Sequence, residues 1–141
     1  MDDIRTNIES IDQQIRNAES KYGRSLNSVL LLPVSKGQQL NKIQQAYDLG
    51  IRRFGENYLR EALVKISALR GCNIEWHFIG LLQSHKTKAI AENFSWVQTV
   101  YKKKHAERLN EQRPRNLPAL NICLQINLDE EKTKAGIKIC K

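Results

Sequence analysis

Apolar residues near the start of the chain recur at steps of four and three: Ile4, Ile8, Ile11, Ile15, Ala18 and Tyr22. That spacing draws one narrow apolar stripe along an otherwise polar helix. It predicts a helix over residues 2–22, with Asp2 or Asp3 capping its start and Gly23 ending it. The pattern then changes. Val29-Leu30-Leu31-Leu32-Pro33-Val34 is a continuous apolar run, which suits a strand covered on both faces of a parallel sheet. A helical stretch follows, with Leu40, Ile43, Ala46 and Tyr47 on one face and Gly50 as its stop. Ile51 to Phe54 reads as the second strand, closed by Gly55, and Tyr58 to Leu69 as a helix with Leu59, Ala62, Leu63 and Ile66 facing inward. Glu75 to Ile79, closed by Gly80, is the third strand, with Trp76 and Phe78 turned outward under the helices. Residues 86–93 form a helix, Trp96 to Val100 the fourth strand, Lys103 to Asn110 a helix, and Leu120 to Ile126 the fifth strand.

The strands start near residues 29, 51, 75, 96 and 120, an almost even step. Strand–helix units repeated at such a step argue for parallel βαβ units. A doubly wound open sheet would place a glycine-rich phosphate loop after the first strand. Here that position reads Ser35-Lys36-Gly37-Gln38. The expected fold is therefore α/β: an incomplete (β/α)8 TIM barrel of about five parallel strands with an additional N-terminal helix. Residues 1–141 are expected to form a single domain, truncated after about the fifth strand.

Composition narrows the function classes. Hydrophobic residues are 40% and charged residues 27%, a globular balance. No apolar stretch approaches the roughly 20 residues of a membrane helix, and the polar start lacks the core of a secretory signal. A cytoplasmic protein is expected. The three cysteines, Cys72, Cys123 and Cys140, match no metal-ligand spacing, so no metal site is expected. Cys123 lies in an apolar run and reads as a small core residue. The net charge of +8 is spread along the chain, with its densest run at Lys102-Lys103-Lys104. No nucleic-acid motif accompanies that run, so it reads as a solvated helix face. A basic protein also suits an anionic small ligand.

In barrels, functional groups gather at the C-terminal ends of the strands. Those ends are Ser35-Lys36, Gly55-Glu56-Asn57-Tyr58, Gly80-Leu81-Leu82-Gln83-Ser84 and Gln125-Ile126-Asn127. Lys36 stands out. A lysine there can present its amine to the barrel mouth, where desolvation favours the uncharged form. An uncharged amine condenses with aldehydes to form a Schiff base. A lysine snorkelling from a strand end into solvent is the plainer alternative, and position alone does not choose between them. Gln83 and Ser84 read as caps of the following helix rather than as mouth residues, and His77 as a packed barrel residue rather than a free base.

Several stretches, taken together, resemble the pyridoxal phosphate homeostasis protein family, also called proline synthetase co-transcribed proteins. They are Leu31-Leu32-Pro33-Val34-Ser35-Lys36, Phe54-Gly55-Glu56-Asn57-Tyr58, Glu75-Trp76-His77-Phe78-Ile79-Gly80 and Leu82-Gln83-Ser84. Gln125-Ile126-Asn127, followed by Glu130, Lys132 and Gly136, fits the same family, so the resemblance runs along almost the whole chain. It implies a barrel like the N-terminal domain of alanine racemase. It implies pyridoxal 5′-phosphate (PLP) held as a Schiff base on Lys36, with Asn57 lining the cofactor pocket. It implies a role in intracellular PLP homeostasis without established catalytic turnover.

The sequence departs from the family at Pro33, where a small residue is usual, at Gly37 for threonine and at His85 for asparagine. Family members also continue into strands supplying a Ser/Gly-rich phosphate cup and an arginine, and nothing here matches those. PLP binding that is weak or absent, and self-association through exposed strand edges, are therefore expected. Two other functions compete. One is a fold-type III PLP enzyme such as an amino-acid racemase, which needs a second base, usually from a separate β-domain. The other is a basic nucleic-acid-binding module, marked by steep salt dependence.

Overall fold

The structure is a computed structural model and describes residues 3–139. Its first element, α1 (Ile4–Lys21), follows the predicted stripe. Asp3 is the N-cap, its carboxylate accepting from the Arg5 N–H, while Asp2 lies outside the described residues. Gly23 follows the helix at φ +65°, a left-handed conformation that a Cβ would disfavour. Ile4 and Ile8 pack against the core, but Ile11 is 44% exposed, so the stripe makes contact only through its first turns.

The core lies between a four-stranded sheet and the helices α2 (Leu40–Asp48), α3 (Leu59–Ala68), α4 (Thr87–Asn93) and α5 (Lys103–Gln112). The strands are β1 (Arg53–Glu56), β2 (Glu75–Phe78), β3 (Trp96–Val100) and β4 (Asn121–Leu124). All are parallel and ordered β1-β2-β3-β4 as in the chain, so each crossover carries a helix. Register pairs Phe54 with Trp76 and Phe78 with Val97, which puts these four side chains on one face. Ile43, Ala46, Ala62, Ile90, Ala91 and Leu109 of the helices bury that face. Trp76 and Phe78 thus lie where their alternation placed them, Trp76 tilted against Phe54 and Phe78 edge-on to Phe94. Burying each large apolar side chain contributes about 1.5–3 kcal/mol.

The other face carries a row in register, Val34–Gly55–His77–Trp96–Asn121. His77 is buried there, stacked on Trp96 with ring centroids 5.4 Å apart. Its Nε2 lies 2.8 Å from Glu75 and its Nδ1 3.0 Å from Gln98, so both ring nitrogens are engaged. It is a packed residue of the sheet, as its sequence context suggested.

Two expectations need correction. The run 29–34 is not a covered strand. It touches the sheet only through the bridge Val34↔Gly55, made by Gly55 N–H to Pro33 C=O (2.8 Å) and Ser35 N–H to Gly55 C=O (3.0 Å). Pro33 has no N–H to extend that ladder, and Leu30 is 63% exposed. Among the described residues the regular strands therefore number four, with a fifth segment attached at β1 by a single bridge. The second correction is Cys123, which is exposed rather than buried. It lies on β4, which pairs only with β3 among the described residues, and all four β4 residues are exposed. Cys140 lies outside the described residues.

Candidate functional site

Lys36 and Asn57 leave the sheet side by side. Val34 bridges Gly55, and each of the two residues stands two positions further on. They therefore share the end of the sheet at which β1 finishes, as the sequence placed them. Lys36 itself is exposed, so the desolvation expected of it is not seen. It occupies a tight turn closed by Gln38 N–H to Ser35 C=O (3.1 Å), with Gly37 at φ +69°. That left-handed position explains why glycine is accommodated after the lysine.

The backbone on both sides of Lys36 is held by side chains. On one side, buried Lys65 of α3 donates from Nζ to the Ser35 carbonyl at 2.6 Å. On the other, the Gly37 N–H donates to Glu61 Oε1 at 2.7 Å. Glu61 and Lys65 stand one helical turn apart and are themselves hydrogen-bonded. Lys65 also pairs with Glu56 of β1 at 2.8 Å, and Glu56 accepts from the Ser35 hydroxyl. Glu56 is fully buried and Lys65 is 4% exposed, so each needs the other's charge. The Lys65 hydrogen bond holds the Glu61 carboxyl below its ordinary range; burial opposes this, and the Gly37 N–H reinforces it.

Sequence reading did not find this set. Its signal was present: Glu56 falls at period two from Phe54, on the helix-covered face, where a carboxylate must be paired. Lys65 lies three residues after inward-facing Ala62 and four after Glu61.

Asn57 is half-buried, and its Oδ1 is shielded from solvent without a partner among the described residues. Its backbone is pressed by Gly80, where an added Cβ would run into the Asn57 carbonyl. Gly80 thus fastens the end of β2 to the end of β1. Gln83 stands at the N-cap of the 3-10 turn Ser84–Lys86 without a side-chain capping bond, and Lys86 stands at that of α4. The Ser84 hydroxyl lies 3.1 Å from His105 Nε2. His105 is buried, which pushes its imidazole below the ordinary histidine value, helped by Lys102, Lys104 and Arg108. Lys102, Lys103 and Lys104 are themselves exposed, as a solvated face requires.

Beyond β4 the chain folds back on itself. Ile126 bridges Ile137, and the Asn127 side chain reaches the Glu131 and Lys134 carbonyls at 3.0 and 3.2 Å. Gly136 approaches Asn127 too closely for any Cβ. Gln125, Asn127 and Gly136 of the motif are thereby gathered in one loop, with the Gln125 amide donating to Ala135 C=O at 2.7 Å. Among the described residues, no helix is long and apolar enough to cross a membrane. Nor does any group of three or more His, Cys, Asp or Glu side chains form a metal cluster there.

Comparison with known proteins agrees with this architecture. The sequence profile of the alanine racemase N-terminal domain matches residues 2–139. A pyridoxal phosphate homeostasis protein of Haemophilus influenzae is 47% identical over 137 residues, 96% of this chain and 58% of the relative. Its counterpart in Escherichia coli K12 is 42% identical over 144 residues, 100% of this chain and 62% of the relative. The chain thus spans about three fifths of these curated relatives. PipY of Synechococcus elongatus, 36% identical, superposes with a TM-score of 0.75 without PLP, over 86% of this chain and 57% of PipY. With PLP bound, the score is 0.69 over 80% of this chain and 53% of PipY. By sequence along nearly its whole length and by fold, the chain belongs to the alanine racemase N-terminal domain family, and the relatives it matches there are pyridoxal phosphate homeostasis proteins.

Proposed function

We propose that this chain binds PLP through Lys36 and serves intracellular PLP homeostasis as a holder of the cofactor rather than as a catalyst. The observation that carries the reading is the state of Lys36. Its amine has no hydrogen bond or ion pair among the described residues, yet its backbone is fixed on both sides. The PLP-bound relative and the names of the homologues support the choice of ligand. The residues present fit the aldehyde end of the cofactor. Lys36 would supply the amine that holds that end as a Schiff base. Asn57, half-buried at the same end of the sheet, would line the pocket. When bound, PLP supplies an electron-accepting ring; the protein's part is to hold the amine and orient the ligand.

We further propose that residues 1–141 act as one cytoplasmic domain that self-associates. Ile122, Leu124, Ile126 and Leu128, at alternate positions on and beyond the unpaired edge, are 44–74% exposed and support this.

Borohydride reduction in the presence of PLP, followed by peptide mapping, tests the main reading. The label is expected on Lys36 and absent from Lys36→Ala. Label distributed over Lys102, Lys103 and Lys104 would overturn it.

A further inference from the structure

We infer that Glu61 and Lys65 are positioning residues for Lys36: together they clamp the two peptide groups that flank it, fixing where its amine can reach. The inference rests on Lys36 being the cofactor lysine and says what makes it usable.

A single bridge attaches residues 33–35 to the sheet, and among the described residues no regular strand precedes Lys36 to hold it. Left to that bridge, the turn would swing with the chain. The clamp supplies the missing constraint. Lys65 takes the Ser35 carbonyl and Glu61 takes the Gly37 N–H, so α3 grips the turn before and after the lysine. The grip is rigid because its members hold one another. Lys65 binds both Glu56 and Glu61, and Glu56 binds the Ser35 hydroxyl. The arrangement engages three charged side chains around the turn and leaves the Lys36 amine outside the network. A turn tethered only for stability would be served by apolar contact; tethering both flanks with charged groups fixes orientation as well. Order at the lysine lowers the entropy lost when the amine meets its ligand.

The test uses the whole 141-residue chain and spares the buried pair. Lys65→Ala would leave Glu56 buried without a cation, so the variants are Glu61→Ala and Glu61→Gln. The Glu61 side chain is about one third exposed. In Glu61→Ala, exchange of the Gly37 amide with deuterium should accelerate about tenfold, the size of one hydrogen bond to a charged acceptor. Borohydride-trapped PLP at Lys36, and the visible absorbance that reports it, should fall several-fold at equal cofactor concentration. Glu61→Gln keeps a carbonyl oxygen for Gly37 and should restore most of both signals. A purely stabilising Glu61 would lower the melting temperature and leave the labelling of the folded chain unchanged.

Wild-type labelling at Lys36 combined with unchanged exchange in Glu61→Ala overturns the clamp and leaves the Lys36 reading intact. Faster exchange with undiminished label does the same. A wild-type chain that carries no label at Lys36 overturns the Lys36 reading, and the inference falls with it.

Discussion

The two sides of the sheet are finished in opposite ways. At the β1 side, the segment before Lys36 has one backbone bridge, yet buried charges and hydrogen bonds tie it to β1 and α3. At the β4 side, the strand has a full partner in β3, yet its side chains stand in solvent and Leu124 is 62% exposed. Backbone pairing and side-chain burial are thus separable. The first edge is held by specific polar chemistry with little ladder; the second has ladder and little cover. Function is expected at the edge where orientation is specified, and association at the edge where apolar area remains.

The largest effect that would break this contrast is at the buried pair. Lys65→Met should lower the unfolding free energy by about 3–5 kcal/mol, because Glu56 is left as an uncompensated buried charge. Leu124→Thr, at the exposed strand, should change it by no more than about 0.5 kcal/mol. Denaturant titrations of the two variants check this, and similar losses would erase the distinction.

Association is next in size. Light scattering should report a species larger than one chain, and the double substitution Leu124→Lys with Ile126→Lys should reduce it to a monomer. A wild-type monomer, or an oligomer indifferent to those charges, removes the role given to this edge.

Acid should sharpen the contrast further. Glu61 titrates below its ordinary 4.5, held by the Lys65 hydrogen bond. Burial by itself would raise Glu19, but the N–H groups of Val29 and Asn27, with Arg16, outweigh it and hold that carboxyl below 4.5 too. In both cases the unfolded chain binds the proton more readily, so stability rises with pH. The contribution is complete above pH 4.5 and is lost as pH falls through the lower folded values. Protection of the Val29 and Gly37 amides, taken relative to their intrinsic exchange rates at each pH, should therefore fall in acid before that of β3. Simultaneous loosening would contradict it.

The smallest effect is chemical. Cys123 is exposed and Cys72 half-buried, so a thiol reagent should modify Cys123 before Cys72 in the folded chain. Equal rates in the native state would show that the β4 edge is covered.

Much of this was legible in the sequence. The alternation at Trp76 and Phe78, the stops at Gly23 and Gly50, and the helix over Leu59–Ala68 depend on local period and backbone preference, and a chain carries those openly. The Lys36 and Asn57 positions were legible because strand ends gather at one end of a parallel sheet. The failures concern what neighbours supply. The run 29–34 looked buried because it is apolar, but Pro33 limits its ladder and Leu30 stands exposed. Cys123 looked buried for the same reason and lies on an edge. The Glu56–Lys65 pair joins a strand to a helix nine positions further along the chain, a partnership that hydropathy does not encode.

Because strand order equals chain order, each new strand finds its partner already made. The sheet can lengthen in the direction of synthesis, one strand–helix unit at a time, at moderate contact order. The Lys36 turn is the exception. Its bridge waits for Gly55, and its two grips wait for Glu61 and Lys65 of α3. On a ribosome, the lysine would emerge early and remain loose until some thirty further residues had followed it, Lys65 being 30 positions beyond Ser35. The geometry of Lys36 is therefore acquired late relative to its own synthesis, and a nascent chain paused before α3 would display the amine without its orientation.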